Sequence, residues 1–142
     1  MRTVYVETTI PSFYFSSRRS AQAVAWRKQT RAWWKAQSNG FRLVTSIVVI
    51  QELNKAPGRM AAEVERIAAY YIQHRLMPST AELDAVHVAL ASYHGADFLL
   101  TWNCRHLANA NKSRHLSVLN RRLGLPVPML LTPYNLTSEE EP

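Results

Sequence analysis

Short segments rich in β-branched and aromatic residues alternate with longer helical ones along the whole 142-residue chain. Thr3–Val6, Phe41–Thr45, Phe98–Thr101 and Val127–Leu131 have the composition of strands. Between them, the spacing predicts helices over Ala21–Gln37, Ile47 to about Lys55, and Met60–Gln73. Two more follow, one opening at Ser79-Thr80-Ala81-Glu82 and ending near Tyr93-His94-Gly95, and one over Leu116–Leu123. Strands separated by helices join one sheet through crossovers, so this order implies an α/β fold with a mostly parallel sheet and helices on both faces. Such sheets bind ligands at the carboxyl ends of their strands, near the point where the strand order reverses.

The punctuation agrees with this division. Ile10-Pro11-Ser12 breaks the first strand, Ser38-Asn39-Gly40 closes the first helix, and Pro57-Gly58 marks a turn. Ser79-x-x-Glu82 reads as a capping box, Ser46 as a helix cap, and Gly95 and Gly124 as helix stops. No repeat or linker interrupts the pattern, so residues 1–136 are expected to form a single domain and residues 137–142 a loose acidic tail.

With a single cysteine, Cys104, the chain can form no internal disulfide; the simplest expectation is a reduced, cytoplasmic protein in which Cys104 is a small packed residue. The longest strongly apolar run, Leu43–Ile50, contains Thr45 and Ser46 and is far too short to span a bilayer, so no membrane association is expected. A net charge of +7 favours polyanionic partners, nucleic acid foremost. Arg27, Arg31 and Lys35 recur every four residues on the first helix and form a basic stripe, a candidate RNA or partner surface. Trp26, Thr30 and Trp33 lie beside it as a candidate core stripe.

Only ten acids are present, so each can be weighed. Glu139, Glu140 and Glu141 lie in the tail, while Glu63, Glu65 and Glu82 fall on solvated helix faces. Glu7 ends the first strand at the ligand-binding edge. Asp84 stands near the start of a helix, Leu83–Ala91, that is apolar nearly all round, where a charge needs a partner, a metal or the helix dipole. Glu52 is within reach of the end of the second strand. Asp97 begins the third strand, whereas Asn103 lies beyond its other end, roughly 15–20 Å away. Asp97 is therefore expected to be a structural cap or turn acid, and Asn103 and Thr101 to lie beside Glu7. His87, three residues after Asp84, is in position to bond it; His94, His106 and His115 show no ligand-like spacing.

These residues, in this order, resemble the PIN-domain family. Val4-Tyr5-Val6-Glu7-Thr8-Thr9 is similar to that family's opening strand and its Asp-Thr-Ser/Thr. Ser46 to Leu53 matches the helix that carries its second acid, Glu52. Asp84-Ala85-Val86-His87-Val88-Ala89 matches its Asp-Ala-x-x-x-Ala helix. Leu99-Leu100-Thr101-Trp102-Asn103 matches the strand that precedes its fourth acid. The stretch Thr101–Asn109 and the final Leu131-Thr132-Pro133 are similar to a toxin-like subgroup. The resemblance implies a three-layer α/β/α domain that cleaves RNA with Mg²⁺ or Mn²⁺, the toxin half of a toxin–antitoxin pair, with an antitoxin protein as partner and a homodimer as a further possibility. It assigns catalysis to Glu7, Glu52, Asp84 and Asn103, metal binding to Glu7, Glu52 and Asp84, and supporting hydroxyls to Thr8 and Thr101. Three departures stand out: Glu7 replaces an aspartate, Asn103 stands at the fourth acidic position, and the span from Glu52 to Asp84 is short. The last predicts the loss of an edge strand, leaving four strands in the order 2-1-3-4. The first two predict weak Mg²⁺ affinity and better activity with Mn²⁺. The alternative expectation is a non-catalytic module that binds RNA or a protein through the first long helix.

Overall fold

A computed structural model describes residues 1–45 and 59–136. Strand β1 (Thr3–Val6) leads into a short helix, α1 (Thr9–Tyr14), then the long α2 (Ala21–Gln37), a 3₁₀ turn over Ser38–Gly40 and β2 (Arg42–Thr45). After the undescribed interval come α3 (Arg59–Gln73), a second 3₁₀ turn (Ser79–Ala81), α4 (Glu82–Tyr93), β3 (Phe98–Leu100), α5 (Ala110–Leu123) and β4 (Met129–Leu131). The four strands form a parallel sheet in the order β2-β1-β3-β4, the order expected from the sequence. The helix over Ile47–Lys55, its Ser46 cap, the Pro57-Gly58 turn, Glu52 and the acidic tail lie outside the described residues.

Strand alternation divides the core between the two faces of the sheet. Tyr5, Leu99 and Leu130 point towards α3, α4 and α5, where they pack with Ile67, Val88 and Leu116. Val4, Val6, Phe98 and Leu100 point the other way, onto Ile10 of α1, Trp33 of α2, Phe41 and Trp102. The result is a three-layer α/β/α arrangement around β1. No helix among the described residues is long and apolar enough to cross a membrane.

Specific contacts hold the layers in register. At the amino edge, Asp97 accepts the Thr3 N–H at 2.8 Å while its own N–H donates to the Thr3 carbonyl, so this acid is the structural clip its position suggested. Trp26 stacks on Trp102 with centroids 4.6 Å apart, and the Trp102 indole donates to Thr30. Trp33 donates to the Leu136 carbonyl and ties the chain's last described turn to α2. The aromatic stripe of α2 is therefore core. Between α3, α4 and α5, Tyr71, Ser92 and Asn120 form a fully buried hydrogen-bonded cluster.

Local differences from the sequence reading have physical causes. The strand ends before Pro11 as expected, but Pro11 sits in the first turn of a short helix, α1, which the sequence reading did not place; a missing N–H costs nothing there. Helix α5 begins at Ala110, not Leu116, because the Asn109 side chain accepts the Lys112 N–H and caps a polar first half that has no apolar period. The Ser79–Glu82 capping box does not form: those residues make a 3₁₀ turn, and Ala81 precedes α4 without a side-chain cap.

Candidate functional site at the carboxyl edge of the sheet

Glu7 follows the last residue of β1, and its backbone N–H extends the ladder to the Leu100 carbonyl at 3.0 Å. The side chain is only 3% exposed. Four donors converge on its carboxylate. Oε2 accepts from the Thr9 hydroxyl at 2.5 Å, the Thr101 hydroxyl at 2.7 Å and the Thr9 N–H at 3.0 Å; Oε1 accepts from the Thr8 hydroxyl at 2.9 Å. Every partner donates, which suits an acid acting purely as acceptor.

The same two hydroxyls also receive. The Thr9 oxygen accepts the Trp102 N–H at 2.8 Å, and the Thr101 oxygen accepts the Asn103 N–H at 2.9 Å. Glu7 is thus the centre of a clamp that joins the β1–α1 turn to the loop after β3. Thr8 and Thr101 bond the acid as expected. Thr9, which bonds it twice, was not singled out from the sequence, although a second threonine behind a buried acid is the visible signal.

Asn103 lies at this edge, next to Thr101. Its side-chain carbonyl accepts the His106 N–H at 3.0 Å, while its backbone carbonyl accepts from Leu107 and Ala108. That geometry makes it the organiser of the turn over Cys104–Leu107. Asp84, in the first turn of α4, is partly buried, and no hydrogen bond among the described residues engages its carboxylate. Glu52 lies outside the described residues.

Behind these acids stands His87, 3% exposed on α4. Its Nδ1 pairs with the Tyr5 hydroxyl at 2.9 Å rather than with Asp84, and Nε2 has no hydrogen-bond partner among the described residues. Burial pushes the imidazole pKa below its ordinary value, and the nearby Glu7 and Asp84 charges oppose that shift. A tyrosine buried in a strand needs a partner for its hydroxyl, and that requirement was the sequence signal for His87.

Arg27 and Arg31 are less free than a solvated stripe. Arg27 donates to the Ser16 and Arg18 carbonyls, and Arg31 donates to the Tyr14 carbonyl while lying over the Tyr14 ring at 5.4 Å. They pin the loop between α1 and α2; Lys35 is exposed. Cys104 is exposed rather than packed.

The donor set suits a hard divalent cation in chemistry, since carboxylate oxygens are its preferred ligands. Oε1 of Glu7 and the Asp84 carboxylate keep acceptor capacity, whereas Oε2 of Glu7 is saturated. No group of three His, Cys, Asp or Glu among the described residues gathers closely enough to hold a metal, and the expected third acid, Glu52, is not one of those residues. Comparisons of the chain with protein-family models, curated proteins and solved structures find no match.

Proposed function

We propose that the protein is a divalent-metal-dependent endoribonuclease of the PIN type, with Asp84, Glu7 and Glu52 as the acids that hold Mg²⁺ or Mn²⁺. The observation that carries this reading is a buried carboxylate, Glu7, held by three threonine hydroxyls and a backbone N–H just beyond the carboxyl end of β1, where parallel sheets bind their ligands. A buried acid at a ligand-binding edge is costly to fold and typical of sites that do chemistry. Bound there, the cation would polarise a phosphate oxygen and make its water acidic enough to attack phosphorus.

The chain's own residues divide the remaining work. The threonine clamp fixes Glu7 in one orientation, with Oε1, which accepts only from Thr8, the carboxylate oxygen that keeps acceptor capacity. No hydrogen bond among the described residues engages the Asp84 carboxylate, which leaves its acceptor capacity for the cation. The excess of Lys and Arg holds the RNA backbone through its phosphates. A toxin role, an antitoxin partner and a homodimer belong to the same proposal and rest on the sequence resemblance.

A second reading, a module that binds RNA or protein without cutting, is favoured by one specific feature: Asn103 spends its carbonyl on the Cys104–Leu107 turn, and Glu7 spends Oε2 on threonines. Incubating purified protein with a structured RNA and either Mg²⁺ or Mn²⁺, beside Asp84→Asn, separates the two. The nuclease reading expects metal-dependent cutting, stronger with Mn²⁺ and reduced at least a hundredfold in the variant. A folded protein that cuts with neither metal, or equally well as Asp84→Asn, would overturn it.

A further inference from the structure

An apolar cavity of about 260 Å³ opens on the α2 side of the sheet. It begins at Val6, the residue before the acid, and at Thr45, the end of β2. Ile10 and three aromatic rings, Tyr14, Phe15 and Trp34, complete it. The rings form one tilted group: Tyr14 and Phe15 lie 4.8 Å apart by centroid, and Tyr14 and Trp34 lie 6.4 Å apart. Phe15 is 78% exposed. With Trp34, itself 37% exposed, it gives the cavity an exposed aromatic rim.

The surroundings are basic. Between Thr8 and Thr45 the chain has seven Lys or Arg and no Asp or Glu. Arg31 is held over Tyr14 by its bond to the Tyr14 carbonyl, and Lys35 is the neighbour of Trp34 on α2. Exposed rings beside ordered cations suit a ligand with flat apolar faces and regularly spaced negative charge.

We propose that this cavity seats an unpaired base of single-stranded RNA, stacked on Phe15 and its neighbours, while the flanking phosphates face Arg31 and Lys35. Unpaired bases stack on aromatic side chains, and each such contact is sequence-tolerant because every base has a π-face. A base paired inside a duplex cannot enter the cavity. The inference rests on RNA being the ligand of the proposed function, but not on its being cut.

The test is fluorescence anisotropy with a short labelled oligouridylate in EDTA, so that binding is read without cleavage. A strand of the same length lacking its bases serves as the second probe, and circular dichroism checks that each variant is folded. Phe15→Ala is expected to weaken binding of the base-bearing strand about tenfold, with an unchanged salt slope. The baseless strand should bind the native protein more weakly and lose nothing further in Phe15→Ala. Lys35→Ala should weaken both probes alike and lower the salt slope. Equal affinities of native and Phe15→Ala protein for the base-bearing strand would overturn the proposal and leave the nuclease reading intact. So would a Phe15→Ala variant that keeps RNA but no longer self-associates in sedimentation, which would make the surface a contact between copies. Binding that responds to Phe15, in a protein that cuts with neither metal, would support the base pocket and sink only the nuclease.

Discussion

Replacing Glu7 by glutamine keeps the shape of the side chain and removes its charge, so it separates clamp from metal ligand. In the native protein, Oε2 accepts three hydrogen bonds inside the fold, two from hydroxyls and one from a backbone N–H. A glutamine carbonyl can stand in the same place with its amide nitrogen turned towards the more exposed Thr8. Each bond then falls from a charge-assisted one, about 1.5–3 kcal/mol, to a neutral one, about 0.5–1.5 kcal/mol. Three such changes total about 3 kcal/mol, and relief of the buried charge returns part of that. A net loss of about 2 kcal/mol lowers Tm by roughly 8 °C in a domain of this size. Thermal melts and urea titrations in EDTA measure it. If Glu7 served only as one of several repelling acids awaiting a cation, removing its charge would raise stability in EDTA. A Tm equal to or above the native value would therefore refute the clamp.

Tyr71→Phe should cost about 1–2 kcal/mol at neutral pH, because Ser92 and Asn120 lose a buried partner. Burial pushes the Tyr71 pKa up to about 12, so the unfolded chain, titrating near 10, releases its proton first and native stability falls between about pH 10 and 12. The gap between native and variant, followed by urea midpoints, should narrow across that window; a constant gap would contradict the assignment. His87 has the opposite sign. Its folded pKa is depressed, chiefly by burial, so its contribution is intact above about 6.5 and is lost as pH falls from there towards the folded value. His87→Gln should flatten that part of the stability profile between pH 8 and 5, and an unchanged slope would show that another group is responsible.

The parallel sheet with helices on both faces was legible because the strands are short, apolar, fenced by Gly, Pro and Asn and separated by helices; the strand order came from the family resemblance. What escaped was local competition between signals. Pro11 breaks a strand and equally opens a helix, and only the chain before it decides which. The first half of α5 has no apolar period because it lies over solvent, so its one signal was the Asn109 cap. Ser79 and Glu82 carry the letters of a capping box, but a 3₁₀ turn took the residues between them. At the site, Glu7, Thr101 and Asn103 were placed correctly at the carboxyl edge, since strand direction and length are enough for that. Their hydrogen bonds were not legible, because they depend on which neighbour the folded loop brings within 3 Å.

The two departures from the acidic pattern are connected through that loop. Glu7 is one methylene longer than aspartate, and the added reach lets a residue on the end of β1 take the Thr101 hydroxyl on the end of β3. Thr101 in turn holds the Asn103 N–H, and the Asn103 side chain closes the turn that follows. A charged residue at 103 would stand beside Glu7 and repel it across the link these bonds make. A neutral asparagine offers the same carbonyl to the turn without that repulsion. The edge is thus organised by hydroxyl and amide donors before any cation arrives. No described hydrogen bond engages the Asp84 carboxylate, so its replacement disturbs the fold least, and for that reason Asp84 is the residue on which the functional reading should be tried first.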